Sequence, residues 1–98
     1  MEKFSMEMFN EFFSAVLKLK TVKECEKFFE DVCTIKELMD IKQRLEVAKL
    51  LSEGKNYQEI CKVTGASTAT ISRVNKCIMY GNGGYSLVIK KGKQKVGK

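Results

Sequence analysis

Two helix-start signals with a glycine between them, all inside Asn56 to Lys76, limit this chain more than any other feature. Asn56 has the side chain of a good N-cap, and Glu59 follows three residues later at the spacing of a capping box. Ile60 and Val63 then stand one turn apart, and Gly65 supplies the residue type that ends a helix at positive φ. Ser67 opens a second cap almost at once, before Thr68-Ala69-Thr70-Ile71-Ser72-Arg73-Val74. Ile71, Val74 and Ile78 make one apolar stripe, while Thr68, Ala69, Ser72 and Asn75 fall largely on other faces. Two short helices with so brief a link must turn sharply, and the spacing predicts a helix-turn-helix over about 56–79.

The composition of the second helix points from packing towards recognition. A solvated helix in a chain that is 31% charged would normally carry Glu and Lys, but this one opens with small hydroxyl and methyl residues and holds no acid. Such side chains let a helix N-terminus approach base edges. Thr and Ser donate or accept there, Ala and the Thr methyl can touch a thymine methyl, and the helix end favours a neighbouring phosphate. Arg73 and Lys76 add positive charge further along.

Charge is distributed to match. Residues 1–59 hold ten Lys or Arg against twelve Asp or Glu, whereas residues 60–98 hold eight basic residues and no acid. The net charge of +6 therefore lies in the half with the helix-turn-helix. Five of those eight, Lys90, Lys91, Lys93, Lys95 and Lys98, belong to a terminal Lys/Gly stretch expected to be a flexible tail over 86–98.

Ninety-eight residues suffice for one helical domain, assigned to 1–85. There is no Pro and no Trp, and Met1 to Lys20 never holds a long apolar run, so no targeting or membrane segment is expected and a cytoplasmic location is the default. The four cysteines, Cys25, Cys33, Cys61 and Cys77, form no close pair and His is absent. Neither a metal nor a cofactor is expected, and the thiols read as buried and free. Gly81-Asn82-Gly83-Gly84 lacks the following Lys-Ser/Thr and the preceding strand of a phosphate loop, and reads as a helix stop. With no His and with the acids on exposed helix faces, no nucleophile and base pair suggests itself, and the chain is not read as an enzyme.

The remaining elements follow from periodicity and caps. A first helix is predicted over about Ser5 to Leu19, with Met6, Phe9, Phe13, Val16 and Leu17 at helical steps and Met8 and Phe12 widening the stripe. Thr21 with Glu24 starts a second, whose buried face is expected to be Cys25, Phe28, Phe29 and Val32. Thr34 with Glu37 starts a third, the longest, from about Ile35 to Glu53, ending at Gly54. The fold class is therefore all-α, five to six short helices. So oily a first helix on so small a domain calls for association, and two copies packed through it would relate two recognition helices by a two-fold axis.

The segment from Thr34 to about Tyr80 resembles the core of the tryptophan repressor superfamily. Ala69-Thr70-Ile71-Ser72-Arg73-Val74-Asn75 followed by Tyr80-Gly81-Asn82-Gly83-Gly84-Tyr85 is similar to its YerC/YecD branch. The resemblance implies an intertwined homodimer whose N-terminal helices interlock and whose helix-turn-helix binds operator DNA in the major groove. By matching positions, Thr68, Ala69, Thr70 and Ser72 would face bases, with Ser67 at the turn. Gln58 would approach the phosphate backbone, and Arg73 stands where the repressor's arginine lines the tryptophan pocket. The other ligand-holding positions of that repressor, an arginine of the central helix, a glycine and a serine, fall on Gln43, Val74 and Cys77. One cation of the carboxylate clamp is missing and Val74 adds bulk where the indole needs room, so L-tryptophan is not expected to act as corepressor.

These readings converge on a dimeric, sequence-specific binder of double-stranded DNA that regulates transcription as a repressor. The alternative is a helical protein-interaction module in which the helix-turn-helix is only a packing unit. The two differ in salt dependence, which is steep for a protein that neutralises several phosphates.

Overall fold

Caps set where the helices begin. In the computed structural model, which describes residues 4–89, a 3₁₀ turn at Met6–Phe9 leads into α1 (Asn10–Val16), α2 (Val22–Val32), α3 (Ile35–Ser52), α4 (Tyr57–Thr64), α5 (Thr68–Tyr80) and a short α6 (residues 84–89). No strand occurs among the described residues, as the all-α reading requires. The chain divides into two compact units, residues 1–38 and 39–98.

In the first unit the helix expected over 5–19 begins as a tighter turn. Ser5 Oγ accepts from the Glu7 N–H at 3.1 Å and the Met8 N–H donates to the Ser5 carbonyl, an i+3 pattern that gives way to α-helix only at Asn10. Thr21 starts α2 by accepting from the Glu24 N–H at 3.1 Å, while Glu24 Oε1 reaches back to the Lys20 N–H at 2.8 Å. Thr34 and Glu37 exchange the two reciprocal bonds of a capping box and start α3.

All six Phe lie in this unit and form a run of ring contacts. Phe12 joins α1 to α2 through Phe28 at 6.2 Å, and Phe28 meets Phe29 edge-on at 5.1 Å. The expected buried face of α2 does not form: Cys25 and Val32 are exposed and Phe28 and Phe29 half-buried. Two short helices lack a further layer that could cover both sides of such a ladder. The expectation of buried thiols fails with it. All four cysteines are free, but Cys25 and Cys77 are exposed and Cys33 and Cys61 only half-buried.

The second unit holds the core. Val47 and Ala48 of α3, Ile60 of α4, Ala66 of the turn, and Ile71 and Val74 of α5 are all buried. Leu50, Leu51, Tyr57, Cys61, Tyr85 and Ile89 pack around them. Each buried Ile or Val here contributes about 1.5–3 kcal/mol in apolar area removed from water. Gly54, at φ +83°, ends α3, with the Lys55 N–H returning to the Leu50 carbonyl in a Schellman closure. α6 takes up residues 86–89 of the expected tail, while Lys90, Lys91, Lys93, Lys95 and Lys98 lie outside the described residues. Among the described residues no helix is long and apolar enough to cross a membrane, and no His, Cys, Asp and Glu group could hold a metal ion.

Candidate nucleic-acid interface

α4 starts as its sequence requires. Asn56 Oδ1 accepts from the Glu59 N–H at 2.9 Å and Glu59 Oε1 from the Asn56 N–H at 3.1 Å, a complete capping box. Ile60 is fully buried, but Val63, expected on the same stripe, is 71% exposed. Gly65 ends α4 in the left-handed region at φ +78°, which any other L-residue would enter at a cost of about 1–2 kcal/mol.

One residue holds the turn that follows. Thr64 Oγ1 donates to the Ile60 carbonyl at 2.7 Å and accepts from the Ala66 N–H at 3.1 Å. The Thr64 carbonyl accepts from Gln43 Nε2 of α3 at 3.1 Å. Neither residue stood out for this role in the sequence. A Thr at a helix end that returns to the preceding turn is a recognisable local habit, but its link to Gln43 spans 21 residues and carries no sequence signal.

Ser67 caps α5. Its Oγ accepts from the Thr70 N–H at 3.1 Å and donates to Thr70 Oγ1 at 3.2 Å, which fixes the Thr70 rotamer and leaves the Thr70 hydroxyl proton to point elsewhere. Ile71 and Val74 turn inward. At 3.6 residues per turn the opposite side of the helix is the row Ala69, Ser72, Arg73 and Lys76, and all four are exposed. Thr68 flanks this row, exposed, and Thr70 flanks it, half-buried. Of the predicted set on α5, Ala69, Ser72, Arg73 and Lys76 therefore share one accessible side, with Thr68 and the half-buried Thr70 on its two flanks. Gln58 is exposed in the first turn of α4, and Lys62, not singled out in the sequence, is exposed in its last turn. Charge on α5 is positive only, and no acid follows Glu59.

Two of the four positions matched to the tryptophan-binding residues, Val74 and Gln43, are engaged within the chain. Val74 is 2% exposed and part of the core, Gln43 is bonded to Thr64, and Arg73 and Cys77 are exposed. A cleft of about 270 Å³ between α3 and α4 is lined by Glu46, Lys49, Leu50, Glu53, Val63 and Thr64, none of them at those positions.

A family model described as Trp repressor protein matches residues 7–93. The uncharacterized protein YerC of Bacillus subtilis (strain 168) is 48% identical over 85 residues, 87% of this chain and 82% of that protein. Among solved structures, a TrpR-like protein from Eubacterium eligens superposes with a TM-score of 0.83 at 50% identity, covering 87% of this chain and 88% of the other. A candidate Trp repressor from Staphylococcus aureus superposes with a TM-score of 0.85 at 38% identity, covering 93% of this chain and 96% of the other. With family model, relative and folds in agreement over most of its length, the chain belongs to the Trp repressor family of helix-turn-helix regulators.

Proposed function

We propose that the chain is a homodimeric, sequence-specific DNA-binding repressor that reads its operator with the N-terminal half of α5. The observation that carries this reading is the acid-free outward side of α5, small and hydroxylated at its start and cationic beyond, backed by buried Ile71 and Val74. Thr68, Ala69, Thr70 and Ser72 meet base edges in the major groove, with Ser67 at the entry. Arg73, Lys76 and Gln58 meet phosphates, which position the helix without reading sequence. Action on DNA places the protein in the cytoplasm.

The two-fold partner is a second copy. Phe4, Met6, Met8, Leu17, Val22, Val32 and Ile35 are all more than half exposed, an apolar surface that an interlocked dimer would cover. L-tryptophan is not the effector, because Val74 fills the place an indole would need and Gln43 offers no second cation. Losing one charge-assisted bond forfeits about 1.5–3 kcal/mol and overfilling the slot costs about 1–3 kcal/mol more, together a hundredfold or greater loss of affinity.

Selection from a random duplex library tests the reading. The selected duplex is expected to bind far more tightly than random sequence, with log affinity falling linearly in log salt by about 0.9 for each phosphate neutralised. Removing residues 90–98 is expected to weaken binding to all duplexes alike and to flatten that slope. Affinity that is the same for every duplex, or insensitive to salt, would favour a protein-interaction module instead.

A further inference from the structure

Gln43 lies on α3 one turn before Val47, on the side of the helix that meets the core, and is half-buried. Its Nε2 donates to the carbonyl of Thr64, the last residue of α4. That carbonyl is one of the four that a helix leaves without an internal partner. The other bonds at this corner are local: Gly65 N–H to the Cys61 carbonyl at 2.9 Å, and the two made by Thr64 Oγ1. They give the turn its shape but do not say where along α3 it sits. Apolar packing of Ile60, Ala66 and Ile71 on Val47 and Ala48 is non-directional and tolerates small slides. A hydrogen bond with a preferred distance and angle does not.

We propose that Gln43 is a positioning residue for the reading face of α5, its side-chain amide pinning the α4–α5 corner to α3 through the Thr64 carbonyl. This rests on the DNA reading above and adds to it the means by which the recognition helix is held in register by the chain itself, with no small molecule in the joint. Because only Gly65, Ala66 and Ser67 separate Thr64 from the start of α5, a slide of the corner carries the N-terminal end of that helix with it.

Two variants of the full chain test this. Gln43→Leu keeps most of the volume and removes the donor, and Gln43→Lys keeps a donor on a longer stem. Amide hydrogen exchange, read without DNA, is expected to be about tenfold faster at Gly65 and Ala66 in Gln43→Leu and near wild type in Gln43→Lys, with exchange in α2 unchanged. The ratio of affinities for selected and random duplex, read well below each melting temperature, is expected to fall about fivefold to tenfold in Gln43→Leu with random-duplex affinity unchanged, and to recover in Gln43→Lys. A residue that only stabilises the fold would lower the melting temperature and leave this ratio alone. Unchanged exchange at Gly65 and Ala66 would overturn the clamp. Faster exchange with an intact ratio would overturn the positioning role. A wild-type chain that prefers no duplex would overturn the DNA reading, and the exchange result would still decide the clamp.

Discussion

Thr70 is a cap partner of Ser67 and one of the proposed base-reading residues. Its N–H and its Oγ1 are both engaged by Ser67, so its side chain is held in one rotamer at the first turn of α5 and its hydroxyl proton has a defined range of directions. A pre-set donor of this kind loses little entropy on meeting a base acceptor. Thr70→Ala keeps the helix and the Ser67 bond to the backbone but removes the hydroxyl and methyl. It is expected to cost about 1–3 kcal/mol on the selected duplex and to relax preference at one position, with little change on random sequence. Competition binding of both duplexes checks this, and equal losses on the two would mean that Thr70 does not read. At this scale helical spacing made legible that Ala69, Ser72, Arg73 and Lys76 face outward on α5, but not that Thr70 is half-buried. What spacing could not reveal was the Gln43 to Thr64 bond, since a partner 21 residues away is chosen by the packing of two helices and not by any local pattern.

At the scale of elements, the starts of α2, α3, α4 and α5 were legible for a physical reason. An N-cap, with its Glu three residues on in α2, α3 and α4 and alone as Ser67 in α5, is a local chemical device that works in the chain wherever it stands. The 3₁₀ entry to α1 and the short α6 were not, because the first depends on a competition between i+3 and i+4 bonds and the second on Tyr85 and Ile89 finding the core after a glycine-rich break. The expected burial of Cys25 and Val32 failed because periodicity shows which face of a helix is apolar but not whether anything covers it. The capping box of α4 can be tested alone. Asn56→Ala removes the acceptor of the Glu59 N–H and is expected to cost about 0.5–2 kcal/mol of stability. A chain this size should then melt about 4–8 °C lower for each kcal/mol lost, a shift that thermal unfolding measures directly.

For the whole molecule, the proposed two-fold dimer would cover the exposed apolar side chains of residues 4–38 and bring two copies of α5 to one duplex. The proposal that tryptophan is not the effector rests on Val74, which is buried in the core, and on Gln43, which is bonded to the Thr64 carbonyl. Titration calorimetry with L-tryptophan is expected to give no measurable heat at physiological concentrations, and the affinity for the selected duplex is expected to be the same with and without it. A micromolar constant would mean that other residues have rebuilt a pocket. The central claim is that two copies of α5 read one operator together, and footprinting of the protein on its selected duplex tests it most directly. The account predicts two protected half-sites of inverted sequence, their centres about one helical turn or roughly 34–36 Å apart, protected together over a single concentration range. A single protected patch, or protection spread evenly along the duplex, would contradict it.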